Sequence, residues 1–129
     1  MTKIILVIDA KFAKIYEAEG LKIKSLISEH TADEFGIDHK KQSDGDAHFF
    51  HPHTDSKEIE RVEFSKRISD IIKEKINGNN FSELIIIAAP KMLSLMRKSL
   101  AKLPKIPIKE IAKDLVQSTE SQISKTAFA

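Results

Sequence analysis

The run Ile4-Ile5-Leu6-Val7-Ile8 decides the fold, because consecutive branched apolar side chains are typical of a strand that is buried on both faces. Such strands lie in the centre of a sheet whose two faces are both covered. A second run of the same kind, Leu84-Ile85-Ile86-Ile87-Ala88, occurs much later in the chain. We therefore expect these two strands to lie side by side in the middle of one sheet.

The pattern outward from these runs predicts the element order β-β-β-α-β-α-β-α. The first three strands form an antiparallel meander, with a hairpin signal at Glu19-Gly20. The remaining elements form βαβ units, and Pro104 ends the second helix. The result is an α/β fold with a mixed sheet covered by helices, for which ribonuclease H-like topology is the obvious match. The predicted strands are 4–8, 12–17, 21–29, 84–88 and 106–113, and the predicted helices are 55–77, 90–103 and 119–128.

Length and composition limit the class of protein. With 129 residues, 41% of them hydrophobic and 31% charged, residues 1–129 should form a single domain with a real core. The absence of cysteine excludes disulfides, thiolate metal sites and a cysteine nucleophile. The net charge of +2 gives no whole-protein argument for nucleic-acid binding.

The apolar segments are also informative about membranes and location. None approaches the roughly 20 residues that a spanning helix needs, and residues 4–8 are too short for a signal-peptide core. We expect a soluble, cytoplasmic protein without membrane contact, although secretion without a cleaved signal stays open.

Residues 31–54 show no periodicity and predict a long loop, either functional or flexible. The loop contains imidazole and carboxylate groups, which are ligands for zinc or another borderline divalent metal. Spacings of three and two between the histidines match no standard metal site, so we favour a solvated loop and expect no cofactor. A zinc site at the three histidines and a response to mild acidity are the alternatives. The candidate residues are Asp44, Asp46, His48, His51 and His53.

Charge is distributed unevenly along the chain. Residues 91–113 carry seven basic side chains and one acidic one, a net charge of +6, whereas residues 33–60 carry eight acidic and three basic ones, a net charge of −5. The basic stretch could bind RNA phosphates. We favour a solvated helix face and a lysine-protected edge strand, because no aromatic side chain interleaves with the lysines to stack bases. The candidate phosphate-binding residues are Lys91, Arg97, Lys98 and Lys102.

Two further patterns have simple structural interpretations. The dipeptide Ala89-Pro90 before Lys91 could begin a helix whose N-terminus binds an anion. An ordinary connection from a strand to a helix, with proline at the first helical position, explains it better. Asp9 and Asp114 follow strands at the same sheet edge, where nuclease-like folds hold metals. Because no acid follows residues 84–88, turn or capping roles are the better interpretation of both.

Four segments in order resemble the bacterial host attachment protein family (protein required for attachment to host cells). These segments are 9–17 (DAKFAKIYE), 47–64 with AHFFHP and DSKEIE, 88–100 beginning AAPKML, and 113–115 (KDL). The resemblance spans nearly the whole chain. It implies the fold of the middle domain of eukaryotic-type peptide-chain release factors, and therefore the ribosome or tRNA as a partner by analogy of fold.

The resemblance does not carry release-factor catalysis with it. In release factors the loop after the third strand contains a Gly-Gly-Gln tripeptide that promotes peptidyl-tRNA hydrolysis. Here the loop reads QSDGDAH at residues 42–48, and the chain contains no Gly-Gly-Gln. We therefore expect a non-catalytic binding protein that works through loop 31–54 and the basic face of 91–113. A metal-dependent hydrolase using residues 44–53 is the alternative, and self-association through the edge strand 106–113 is a third hypothesis.

Overall fold

The computed structural model describes residues 2–37, 56–101 and 106–129. They form a mixed α/β fold in which a five-stranded mixed sheet is covered by three helices. The predicted α/β class and mixed sheet are therefore confirmed. In chain order the elements are β1 (Thr2–Ile8), β2 (Phe12–Glu19), β3 (Lys22–Thr31), a short 3₁₀ turn (Asp33–Phe35), α1 (Ser56–Asn77), β4 (Glu83–Ala88), α2 (Pro90–Ser99), β5 (Ile108–Ala112) and α3 (Glu120–Ala127).

The strands lie in the order β3-β2-β1-β4-β5. β1 pairs antiparallel with β2 and parallel with β4, so Leu6 lies opposite Ile15 on one side and opposite Ile86 on the other. β5 extends the parallel part of the sheet beyond β4. The prediction that the two apolar runs lie side by side in the sheet centre is confirmed.

The apolar runs 4–8 of β1 and 84–88 of β4 are fully buried because helices cover both faces of the sheet. On one face, Leu6 packs in a cluster with Phe64 of α1 and Met96 of α2. On the other face, Val7 packs in a cluster with Ile123 of α3. The described residues therefore form two apolar clusters, one on each side of the five-stranded sheet.

Helix α1 lies within the predicted range 55–77 and buries one apolar stripe at helical spacing, since Phe64, Ile68 and Ile72 are all fully buried. The helix ends at Asn77, and the backbone N–H of Gly78 donates to the carbonyl of Glu74 at 3.2 Å. The predicted first residue of this helix, residue 55, lies outside the described residues. No described helix is long and apolar enough to cross a membrane.

Five predicted boundaries differ by two residues or more. β1 begins at Thr2 and not at Ile4, and β2 continues to Glu19 and not only to Glu17. β3 continues to Thr31, because Phe12 at the start of β2 pairs with it. Helix α2 ends at Ser99, where a backbone bond from Ala101 to the carbonyl of Lys98 tightens the last turn. β5 begins only after Pro107, whose carbonyl accepts the N–H of β4's second residue at 3.0 Å. Residues 102–105, which include the predicted helix end, lie outside the described part.

Candidate binding site

A groove opens at the carboxyl end of β1, between the start of β2, the end of β3 and the first turns of α1. Its volume is about 320 Å³, near the lower end of the range of roughly 300–1,000 Å³ that is usual for small-molecule sites. We call it the β1 groove. It is lined by Ala10, Lys11, Phe12, Thr31, Ala32, Asp33, Lys57, Glu60 and Arg61.

The β1–β2 turn positions one wall of the groove. The carboxylate Oδ1 of Asp9 accepts backbone N–H bonds from Lys11 at 2.8 Å and from Phe12 at 2.7 Å. The N–H of Asp9 donates in turn to the carbonyl of Phe12 at 2.9 Å. Asp9 therefore has the turn role that the sequence favoured over a metal role, and it holds Lys11 at the groove.

The end of β3 and the 3₁₀ turn form the opposite wall. The N–H of Ala32 donates to the carbonyl of Lys11 at 2.9 Å, which joins the two walls. The hydroxyl of Thr31 accepts the N–H of Glu34 at 3.1 Å, and the carboxylate of Glu34 accepts the N–H of Thr31 at 3.3 Å. Gly36 then turns the chain at a φ of 71°, a value that suits glycine. Local hydrogen bonds therefore fix this wall.

His30, near the end of β3, contacts two residues of the 3₁₀ turn. One ring nitrogen lies 2.9 Å from a carboxylate oxygen of Glu34, and the other lies 3.0 Å from the hydroxyl of Ser28. The ring stacks on Phe35 with a centroid distance of 6.0 Å, and the guanidinium of Arg67 on α1 lies 5.8 Å from the centroid of Phe35. Because both ring nitrogens have partners, we interpret His30 as a structural residue.

The β1 groove combines opposite charges with an exposed aromatic residue. Lys11 and Lys57 can bind phosphate or carboxylate oxygens, and Arg61 can do so through the N–H groups that its single 3.3 Å hydrogen bond to Glu58 leaves over. Asp33 and Glu60 can accept hydrogen bonds from amino or hydroxyl groups. The side chain of Phe12 is 41% exposed. This lining suits a polar ligand that carries an anionic group, a hydrogen-bond donor and a flat apolar surface.

The basic residues that the sequence predicted to bind phosphate do not line the β1 groove, and one of them is already paired within the protein. Lys91 and Lys98 are exposed on α2. Arg97 makes a bidentate ion pair with Glu110 of β5, with N–O distances of 2.6 and 3.0 Å. These hydrogen bonds raise the pKa of Arg97 and lower the pKa of Glu110. Lys109 donates to the carbonyl at the end of α3 at 2.8 Å, so the basic stretch is not one free cationic face. Lys102 lies outside the described residues.

The predicted metal candidates are not tested by this structure, because Asp44, Asp46, His48, His51 and His53 all lie outside the described residues. Within 2–37, 56–101 and 106–129, no group of three or more histidine, aspartate or glutamate side chains is placed to hold a metal ion. Asp9 and Asp114 do not face each other across neighbouring strands, since β4 separates β1 from β5.

The β1 groove was not predicted from the sequence. Its lining comes from residues 10–12, 31–33 and 57–61, which no local pattern connects. Partial signals were available. Segments 9–17 and 47–64 carry part of the family resemblance and contain the β1–β2 turn and residues 57–61, and the predicted loop 31–54 begins with residues 31–33 of the lining.

Comparison with known proteins identifies the family. The sequence model of the family described as "Protein required for attachment to host cells" matches residues 4–126. The chain belongs to this family. A relative from Rickettsia prowazekii (strain Madrid E), "Uncharacterized protein RP470", is 35% identical over 141 residues, which cover 100% of this chain and 94% of the relative.

A solved structure gives a much weaker match. The crystal structure of the Ppx/GppA phosphatase (type II variant) from Aquifex aeolicus aligns with 87% of this chain at 14% identity and a TM-score of 0.39. The chain spans only 36% of that protein's length. We base no inference on this similarity.

Proposed function

We propose that this member of the host attachment family is a non-catalytic binding protein, with a role related to attachment to host cells, and that it acts by binding RNA at the β1 groove. Family membership supports the attachment-related part. The observation that carries the binding part is the convergence of Lys11, Lys57 and Arg61 with the exposed Phe12 at one groove.

Each component of this lining has a counterpart in a single-stranded nucleotide. Lysine and arginine neutralise phosphates and release counterions, which gives affinity that weakens as salt rises. An exposed aromatic ring can stack on a base. The carboxylates of Asp33 and Glu60 can accept hydrogen bonds from an exocyclic amino group or from a ribose 2′-hydroxyl. A simple anion would make no use of the carboxylates, and we therefore favour a nucleotide unit.

The relation in fold to the middle domain of release factors is also part of the proposal. The strand order β3-β2-β1-β4-β5, with a meander followed by parallel crossovers, supports a ribonuclease H-like topology. That topology supports the relation to the middle domain of release factors, and hence ribosomal RNA or tRNA as the partner and the cytoplasm as the location. Because the chain has no Gly-Gly-Gln, we infer binding without peptidyl-tRNA hydrolysis.

RNA binding can be measured by the fluorescence anisotropy of a labelled single-stranded RNA at low and high salt. The variant Lys11→Glu/Arg61→Glu reverses two groove charges, and we expect its affinity at low salt to fall at least about tenfold. The control Lys22→Glu/Lys125→Glu makes the same change of net charge at exposed positions outside the groove. Equal losses in the two variants would mean non-specific attraction and would contradict the proposal.

The ribosomal part has a separate test in co-sedimentation. We expect the wild-type protein to sediment with ribosomes at low salt and to be released at high salt, and the Lys11→Glu/Arg61→Glu variant to stay at the top of the gradient. Wild-type protein at the top of the gradient in both salts would refute the ribosomal part of the proposal.

A metal-dependent hydrolase that uses residues 44–53 is the alternative function. Elemental analysis of the purified protein separates the two, because a binding protein of the kind proposed should carry no stoichiometric zinc. Zinc at one ion per chain, together with a rise in melting temperature on zinc addition, would favour the hydrolase.

A further inference from the structure

A second groove runs between α1 and α2, on the outer surface of the helices that cover one face of the sheet. Its volume is about 600 Å³. We call it the α1/α2 groove. It is lined by Val62, Ser65, Lys66, Ser69, Asp70, Lys73, Leu95, Lys98, Ser99 and Ala101.

The floor of this groove consists of apolar side chains and of serines whose hydroxyls already donate hydrogen bonds within α1. Val62 lies off the buried stripe of α1, and both it and Leu95 are only half-buried. Ser65 and Ser69 are buried, but their hydroxyls already donate within α1, to the carbonyl of Val62 at 2.8 Å and to the carbonyl of Ser65 at 2.7 Å. The two serines are small and lie between the half-buried side chains of Val62 and Leu95. They therefore leave a notch into which another apolar side chain can pack.

The rim of the groove carries basic side chains that form no ion pair with any other described residue. In the described part of the chain, Lys66, Lys73 and Lys98 make no ion pair. By contrast, Arg61 and Arg67 on the same α1 helix each pair with a glutamate, at 3.3 and 3.0 Å. Counted over the described lining residues, the three lysines and Asp70 give the rim a net charge of +2.

We propose that the α1/α2 groove binds an acidic amphipathic segment of a partner protein. The apolar side chains of the segment cover Val62 and Leu95, and its carboxylates meet the three rim lysines. Among the described residues that line it, none is aromatic and able to stack on a base, which favours a protein segment over RNA at this surface. The surface is distinct from the β1 groove and does not depend on RNA binding there.

The test uses defined peptides as probes. A fluorescently labelled peptide with the repeat Leu-Glu-Glu-Leu is titrated against the full chain, and its Leu-Lys-Lys-Leu counterpart serves as the opposite-charge control. Backbone amide shifts in NMR spectra then locate the contact. We expect the acidic peptide to bind and the basic control peptide not to bind. The amide shifts caused by the acidic peptide should be concentrated at Val62, Lys66 and Leu95.

Two variants separate the groove from general electrostatics. Lys66→Glu/Lys98→Glu should weaken the acidic peptide about tenfold, whereas the control Lys22→Glu/Lys125→Glu should change its affinity by less than about twofold. Absence of acidic-peptide binding, equal effects in both variants, or shifts located away from the groove would overturn the proposal. Displacement of the peptide by single-stranded RNA with the same sensitivity to Lys66→Glu/Lys98→Glu would overturn it in favour of RNA.

Discussion

Tyr16 is the only tyrosine in the chain, and it lies at the boundary between the sheet and α3. Its side chain is 3% exposed. Burial raises the pKa of its hydroxyl, and the carboxylates of Glu120 and Glu29 raise it further. The folded state therefore favours the protonated phenol.

The pKa of Tyr16 can be measured directly, because the tyrosinate absorbance of this chain comes from Tyr16 alone. We expect a midpoint above the ordinary value of about 10. Because the pKa is raised on folding, the associated stability is fully present below the unfolded pKa and is lost as pH rises through the folded one. Tyr16→Phe should remove this alkaline dependence. A midpoint at or below that of the unfolded chain would contradict the burial of this side chain.

Asp9 is the second informative residue, since its side chain closes the β1–β2 turn with bonds to two backbone N–H groups. We expect Asp9→Ala to lower the free energy of unfolding by about 1–2 kcal/mol, because it leaves those groups without their acceptor. Asp9→Asn keeps an oxygen acceptor and should cost less. Urea unfolding measures both variants, and equal losses would show that the acceptor is unimportant.

At the scale of elements, α2 and β5 are joined by the ion pair between Arg97 and Glu110. The hydrogen bonds from Arg97 are the main cause of the lowered pKa of Glu110. The Arg97 side chain is 59% exposed and that of Glu110 is 28% exposed, so solvent screens the pair and it contributes only modestly to stability.

The pH dependence of stability tests this pair. Because the pKa of Glu110 is lowered on folding, its contribution is present above the ordinary glutamate pKa of about 4.3 and is lost as pH falls through the folded-state value. The urea midpoint of Glu110→Gln should therefore lie slightly below that of the wild type at neutral pH and converge with it in acid. Arg97→Gln should behave in the same way, and a difference that persists below both pKa values would contradict the ion pair.

Elements with continuous apolar runs were predictable, whereas their ends depended on neighbours. β1 and β4 needed only their own side chains to be recognised. In β3, Ile23 packs in the cluster on the α3 side and Ile27 in the cluster on the α1 side, although an even spacing would place both on one face of a regular strand. Register shifts opposite the Ile15/Tyr16 and Glu17/Ala18 steps account for this change of face. Because the shifts interrupt the alternation of apolar and polar side chains, a search for period-two alternation underestimates the length of β3.

The same reason explains the incomplete prediction of binding surfaces. The sequence drew attention to the lysine-rich stretch 91–113, where Arg97 and Lys109 have intramolecular partners in the structure. The β1 groove instead combines three distant segments, and its exposed Phe12 supplies the aromatic surface that the lysine-rich stretch lacks. A property that arises only when distant segments meet has no local signature in a single sequence.

At the scale of the whole molecule, stability depends on the two clusters on either side of the central strands. Ile86 is fully buried in the cluster beneath α1 and α2, whereas Leu21 in the β2–β3 turn is 68% exposed. We expect Ile86→Ala to cost about 2–5 kcal/mol and Leu21→Ala to change stability by no more than about 0.5 kcal/mol. Urea unfolding measures both, and similar losses would contradict this placement of the core.

Helix α1 links stability to binding, since its buried stripe holds the core while its first turns line the β1 groove. Charge reversals on its exposed side should therefore alter binding without unfolding the chain, and thermal melting of each variant provides the control.

The most direct test of RNA binding at the β1 groove is NMR shift mapping of the isotope-labelled chain titrated with a short single-stranded RNA. We predict that the largest amide shifts fall at Lys11, Phe12, Ala32 and Arg61, and that Lys125 on α3 stays unchanged. An absence of shifts at low salt, or shifts concentrated away from these residues, would contradict it.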